Sequence, residues 1–97
     1  MTAKDDVIAR LSRAKADLQT HAVRELWLFG SVARGEAGSA SDVDILVDFS
    51  APVSLFEFLR LQRRLESVLG RKVDLVTRDA LKPQLRDRIL GEAVRAA

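Results

Sequence analysis

The sequence predicts a small α/β domain in which helices flank a short β-sheet. Apolar residues recur at helical spacing near the N-terminus, and short apolar runs with alternating polar residues follow. Residues that cap or stop helices lie between these runs. The chain has 97 residues and shows no repeat or low-complexity tract. We therefore expect a single domain over residues 1–97, with elements in the order α-β-α-β-α-β-α.

The first half of the chain is expected to form two helices around one strand. Apolar residues at helical spacing predict one amphipathic helix over residues 4–19. The apolar run at residues 23–29 predicts a strand, and a helix of one or two turns is expected at residues 31–34. Gly35 is well suited to stop that helix. Small residues at 36–40 predict a loop.

The second half is expected to alternate strand and helix again. Residues 43–49 predict the second strand, and residues 72–77 predict the third. Ser54 and Glu57 have the spacing of a capping box, so a helix is expected to begin there and to end at Gly70.

A last helix is predicted near the C-terminus. Pro83 suits the first turn of a helix, because the missing N–H has no intrahelical partner at that position. The apolar residues of this segment that are expected to pack inward are Leu85, Ile89 and Val94.

Two carboxylates, those of Asp42 and Asp44, alternate along the second predicted strand. Alternate side chains of a strand share one face. The opposite face then carries the apolar residues Val43, Ile45 and Val47. Like charges held side by side repel unless a cation lies between them, and carboxylate oxygens suit Mg²⁺. The plainer interpretation is an edge strand whose acidic face is solvated.

Further residues could complete such a site. Gly30-Ser31 follows the first predicted strand, where glycine lets the backbone approach a phosphate closely; a simple turn is the alternative. Arg34 is expected to pair with a triphosphate, or else to lie in solvent. Asp74 alternates with apolar residues in the third predicted strand, so it can share a face with the other two aspartates. A surface aspartate is the alternative for Asp74.

This pattern resembles that of a known superfamily. Gly30-Ser31, a gap of ten residues, Asp42-x-Asp44 and the later Asp74 are similar to the signature of the DNA polymerase beta-type nucleotidyltransferases. The fuller wording around these residues is similar to the smallest members, the minimal nucleotidyltransferases (MNT). These include the MntA antitoxins, which are encoded beside HEPN-domain toxins. The resemblance covers nearly the whole chain.

The resemblance implies a mixed sheet and a catalytic site. Asp42, Asp44 and Asp74 would hold two Mg²⁺ ions, with Asp74 also acting as a base. Gly30-Ser31 and Arg34 would bind the nucleotide. ATP would be the substrate, and AMP would pass to a tyrosine of a partner HEPN toxin.

Two other functions stay open at this stage. The chain could mask a toxin by contact and make little use of its aspartates. It could also be a stand-alone nucleotidyltransferase that acts on a small molecule or an RNA end. Little sequence follows the third predicted strand, so we expect the acceptor to be brought by another macromolecule.

Composition excludes several classes of function. The chain has no cysteine, which excludes disulfides and thiolate chemistry. Its net charge is only +2, so direct nucleic-acid binding is not expected. No apolar run approaches the roughly 20 residues that span a membrane, and the charged N-terminus does not resemble a signal peptide. We expect a cytoplasmic protein.

The remaining polar and aromatic residues favour structural roles. Trp27 is expected in the core, with stacking on a base as the alternative. Asp48 is interpreted as peripheral to the site, where it could be an ion-pair partner. Arg60, Arg63 and Arg64 are expected on a solvated helix face, with a partner-binding patch as the alternative.

Overall fold

The computed structural model describes residues 3–36 and 42–97. The helices are α1 (Ala3–Arg13), α2 (Lys15–Gln19), α3 (Gly30–Ala33), α4 (Leu55–Leu69) and α5 (Pro83–Glu92), and a 3-10 turn spans Arg78–Ala80. The strands are β1 (Val23–Phe29), β2 (Val43–Phe49), β3 (Val73–Thr77) and β4 (Val94–Arg95). Of the loop predicted at residues 36–40, all but Glu36 lies outside the described residues.

The strands form one mixed sheet in the order β3-β2-β1-β4. Strand β1 runs antiparallel to β2 and to β4, whereas β2 and β3 are parallel. The predicted α/β class and the mixed sheet are therefore confirmed.

One face of the sheet carries the hydrophobic core. Val43, Ile45 and Val47 of β2 are fully buried there, as the alternation predicted. Helices α1, α2 and α4 contribute further buried side chains to the same cluster: Val7, Leu11, Leu18, Leu61, Leu65 and Leu69. The side chains of the predicted acidic residues are left on the other face, away from this core.

Helix α4 has the predicted boundaries and also holds the edge of the sheet. The Ser54 hydroxyl accepts a hydrogen bond from the Glu57 amide at 3.1 Å, and Gly70 ends the helix with φ of 64°. Two side chains of α4 bind the backbone of Val73 in β3. The side-chain amide of Gln62 donates to the carbonyl of Val73 at 3.1 Å, and the carboxylate of Glu66 accepts from the amide of Val73 at 3.0 Å. These bonds fix the start of β3, one residue before Asp74.

The prediction of one helix over residues 4–19 is wrong. The chain turns at Ala14, whose φ of −89° and ψ of 5° lie outside the helical region, and α2 begins after it. No proline or glycine marks this break, so the apolar pattern alone does not show it.

The C-terminal segment also differs from its prediction. Leu85 is 46% exposed, and α5 contains no buried residue. Val94 does pack against the core, but from β4, where it pairs with Leu28 of β1. The predicted order of elements lacks β4, because a strand of two residues is too short to show a period.

No helix among the described residues combines the length and the apolar character that crossing a bilayer requires.

Leu65→Ala tests the position of the core. Leu65 is fully buried, whereas Leu59 of the same helix is 42% exposed. We expect Leu65→Ala to lower the free energy of unfolding by about 2–5 kcal/mol, because it leaves a cavity. The matched Leu59→Ala should cost about 0.5 kcal/mol or less. Urea denaturation measures both, and equal losses would contradict the assigned faces of α4.

Candidate active site

The site is built around a close approach between Asp44 and Gly30. Phe29, the last residue of β1, pairs with Asp44 of β2, so the carboxylate of Asp44 lies beside the turn from β1 into α3. Gly30 has φ of +71°, which side chains rarely adopt. A Cβ added to Gly30 would lie 2.2 Å from Oδ2 of Asp44. Glycine is therefore required here for both backbone shape and space.

The three predicted aspartates lie side by side at one end of the sheet. Asp44 and Asp74 are register partners across the parallel pair β2–β3. Asp42 lies just before β2 begins, two residues from Asp44, and its negative charge acts on the Asp44 carboxyl. Asp44 is partly buried, while Asp42 and Asp74 are exposed.

The electrostatics of Asp44 follow from this placement. Burial raises the pKa of its carboxyl, and the negative charges of Asp74 and Asp42 raise it further. Arg34 opposes the shift as the nearby positive charge. The ionised form of Asp44 is thus held in an unfavourable environment that a cation would relieve.

The chemistry of this donor set fits a divalent cation. The available ligands are carboxylate oxygens, which Mg²⁺ prefers. Among the described residues, however, no three His, Cys, Asp or Glu side chains are already arranged to hold a metal ion. The carboxylates are close enough to affect the pKa of Asp44 but do not form a finished cage.

The predicted nucleotide-binding residues lie on α3 and at its end. Ser31 is partly buried in the first turn of this short helix. Arg34 follows the last turn, where Nε donates to Glu36 at 3.0 Å and Nη1 to Glu92 at 3.4 Å. The hydrogen bond and charge of Glu36 raise the pKa of Arg34, and Glu92 adds to the shift.

Glu92 is a site residue that the sequence analysis missed. Its carboxylate accepts hydrogen bonds from the Gly30 amide at 3.4 Å and from Arg34. Glu92 lies 62 positions after Gly30, and no local motif connects the two. The packing of α5 against α3 and the pairing of β4 with β1 bring them together.

Two other residues on the acidic face have structural roles. Asp48 forms an ion pair with Arg24 at 2.6 Å, as its peripheral interpretation suggested. Trp27 is only partly buried and lies outside the main core, which contradicts its predicted place. The guanidinium of Arg78 lies 6.0 Å from the centre of its ring.

A cavity of about 750 Å³ lies at the opposite end of β2 from Asp44. Its lining includes Asp48, Phe49, Phe58 and Arg78 but none of the predicted site residues. This cavity is therefore separate from the site of Asp42, Asp44 and Asp74.

Comparison with known proteins defines the class of the chain. A family model described as "Nucleotidyltransferase domain" matches residues 9–96. The chain belongs to this nucleotidyltransferase family, and the enzyme class predicted from the sequence is confirmed.

Named relatives narrow the class further. Protein adenylyltransferase MntA of Thermococcus cleftensis is 42% identical over 95 residues, which cover 97% of this chain and 96% of MntA. A provisionally named protein adenylyltransferase of Methanocaldococcus jannaschii is 48% identical over 77 residues, or 79% of this chain and 83% of that protein.

Solved structures share the fold. A structure provisionally described as a minimal nucleotidyltransferase superposes with a TM-score of 0.82 at 38% identity, covering 97% of this chain and 95% of the other. The MNT antitoxin in complex with a tri-AMPylated HEPN toxin of Shewanella oneidensis shares the fold alone, with a TM-score of 0.67 at 20% identity and coverage of 92% and 70%. The predicted resemblance to minimal nucleotidyltransferases is confirmed.

Three glycine substitutions separate backbone strain from the contact with Asp44. Gly70→Ala meets no atom within 4 Å but keeps a positive φ, so we expect a loss of about 1–2 kcal/mol. Gly30→Ala adds the clash with Asp44, and about 2–4 kcal/mol is expected. Gly91→Ala in α5 should stabilise the fold by about 0.5–1 kcal/mol. Urea denaturation measures all three. A loss at Gly30 no larger than at Gly70 would contradict the contact.

Asp44→Asn should stabilise the metal-free protein. The folded-state pKa of Asp44 is raised, so its ionisation costs stability as pH rises through that pKa. The gain from Asn is therefore largest at neutral pH and disappears below the ordinary aspartate pKa of about 3.9. Because water screens this partly buried group, we expect about 0.2–1 kcal/mol, the range for cross-strand pairs.

Thermal unfolding in EDTA between pH 4 and 8 measures this gain. Asp48→Asn is the control on the same strand, since it removes an ion-paired carboxylate and should not stabilise. A gain for Asp44→Asn that is independent of pH would contradict the electrostatic cause.

Proposed function

We propose that the chain is a magnesium-dependent protein adenylyltransferase that transfers AMP from ATP to a tyrosine of a partner HEPN toxin and so acts as an antitoxin. The observation that carries this proposal is the carboxylate of Asp44 lying against Gly30, with Asp74 as its neighbour across the sheet. In this arrangement, carboxylates that could bind a cation lie beside a turn that could bind phosphate. The named relatives support the same activity.

The nucleotide would bind through Gly30, Ser31 and Arg34. The Gly30 amide and the Ser31 hydroxyl offer hydrogen bonds to phosphate oxygens. Arg34 offers a fixed fork of donors and a permanent positive charge, which suits the pyrophosphate that leaves.

Asp42, Asp44 and Asp74 would hold the metal, for which two Mg²⁺ ions are expected. When bound, Mg²⁺ supplies charge stabilisation at the transferring phosphoryl group and lowers the pKa of the attacking hydroxyl. The exposed carboxylates of Asp42 and Asp74 can be reached from solvent, and pairing of β2 with β3 fixes Asp44 beside Asp74.

The reaction is a substitution at the α-phosphorus of ATP. The tyrosine oxygen forms a bond to this phosphorus as the bond to the oxygen bridging the α- and β-phosphates breaks. Pyrophosphate leaves with the electron pair of the broken bond. In this proposal Asp74 takes the phenolic proton, because its carboxylate is exposed, neighbours Asp44 across the sheet and can act as a general base.

An exposed apolar surface on α4 supports a protein partner. Leu55 and Phe56 are 73% and 71% exposed, and Leu59 is also exposed. The guanidinium of Arg60 lies 5.5 Å from the centre of the Phe56 ring. Exposed apolar patches with polar or charged residues at their rim mark protein–protein interaction sites. We also propose that residues 1–97 form a single domain and that the protein lies in the cytoplasm.

Label transfer tests the catalytic proposal. The chain is incubated with its partner HEPN toxin, Mg²⁺ and ATP labelled at the α-phosphate. We expect label on a toxin tyrosine, and the double variant Asp42→Asn/Asp44→Asn should lower the rate by at least about 100-fold, since the metal ligands are lost. Asp48→Asn on the same face should keep the rate of the wild type.

Growth protection separates catalysis from masking. If the double variant still protects cells from the toxin as well as the wild type does, the chain acts by contact, and the adenylyltransferase proposal is wrong. Label on RNA or on a small acceptor, with none on the toxin, would favour a stand-alone transferase.

A further inference from the structure

Glu92 accepts hydrogen bonds from the two groups that the proposed function assigns to phosphate, the Gly30 amide and the Arg34 guanidinium. One oxygen, Oε1, accepts from the Gly30 amide and from Nη1 of Arg34, each at 3.4 Å. A backbone N–H beside a guanidinium is a general binding arrangement for anionic oxygens. In this structure, a carboxylate of the chain itself is the anion held there.

The end of α5 positions Glu92 beside Gly30 and Arg34. It is the last residue of α5, and β4 begins two residues later. Pairing of Val94 with Leu28 of β1 ties the end of α5 to the strand that leads into Gly30. The side chain of Glu92 is 26% exposed, so it is largely shielded without being locked in the core.

Its surroundings make this contact easy to exchange. Both hydrogen bonds are longer than the 2.9–3.0 Å typical of N–H···O bonds. The carboxylate of Asp44 lies on the same glycine, so two negative groups share one turn. Arg34 also keeps Glu36 as a partner at 3.0 Å, which would remain if Glu92 left.

We propose that Glu92 is a positioning residue that holds Gly30 and Arg34 until nucleotide binds, and that nucleotide phosphate must displace it. The inference rests on the proposed nucleotide site. Glu92 thereby lowers the affinity for nucleotide, because part of the binding free energy is spent in breaking its two contacts. It also keeps the amide and the guanidinium aimed at the place where phosphate will lie.

Glu92→Gln tests the proposal directly. The substitution keeps the shape of the side chain and removes its charge. We expect the dissociation constant of the Mg²⁺–ATP complex, measured by calorimetry, to fall about two- to fivefold, the fold-change of an exposed ion pair. KM for ATP should fall by the same factor, while kcat changes little.

Glu25→Gln is the matched control. It removes the same charge from a residue that pairs with Arg95 on β4 at 3.6 Å. Glu25 lies near the start of β1, whereas Gly30 follows the end of that strand. The nucleotide affinity of this control variant should equal that of the wild type. A gain in both variants would show an effect of net charge and overturn the specific role of Glu92.

Glu92→Asp and the Gly30 amide provide independent measurements. Aspartate keeps the charge, so its affinity should stay closer to wild type than that of the glutamine variant. In wild-type protein, the amide resonance of Gly30 and the side-chain carboxyl resonance of Glu92 should both move on ATP addition, because the amide would exchange the Glu92 carboxylate for phosphate. This measurement needs no variant, and a Glu92 resonance that does not move would overturn the displacement.

The outcomes separate this inference from the proposed function. If wild type and Glu92→Gln bind ATP equally, Glu92 is not displaced, and only the inference is overturned. Weaker binding by the variant overturns it as well, because Glu92 would then assist the nucleotide or its metal. If neither protein binds ATP, the nucleotide site itself is wrong.

Discussion

The contact between the Asp44 carboxylate and the Gly30 backbone is the constraint on which the rest of the site depends. It exists because Phe29 and Asp44 are register partners, and because Gly30 has no side chain. A shift of one residue between β1 and β2 would turn Asp44 into the core and Ile45 out of it. The hydrophobic face of β2 and the acidic site are therefore set by the same register.

The same arrangement carries a cost that points to function. Asp44 sits partly buried beside two other carboxylates, and its raised pKa reports that burial and repulsion. A fold selected for stability alone has no reason to place three aspartates at neighbouring positions of a sheet. Such unfavourable electrostatics cluster at functional sites, where a ligand supplies the missing charge. Membership of the nucleotidyltransferase family agrees with this interpretation.

Much of the fold was predictable because its patterns are local. Alternation identified β2, and the Ser54 cap and Gly70 stop identified α4, since each depends on neighbours within a few residues. The break at Ala14 was missed because no residue type marks it. Strand β4 was missed because a pattern of alternation cannot be recognised in two residues. Trp27 was wrongly expected in the core because β1 carries apolar residues on both of its faces, so the sequence does not show which face is buried.

The sequence by itself determined the chemistry that is available: which carboxylates share a face, where glycine permits a close approach, and which family the spacing of Gly30-Ser31 and Asp42-x-Asp44 resembles. Only the tertiary structure decided which groups meet. It placed Asp74 beside Asp44 through parallel strand pairing and brought Glu92 onto Gly30 and Arg34. These contacts join residues that are far apart along the chain, so they depend on packing between elements. Local alternation made Asp74 a candidate, but no local pattern indicated Glu92.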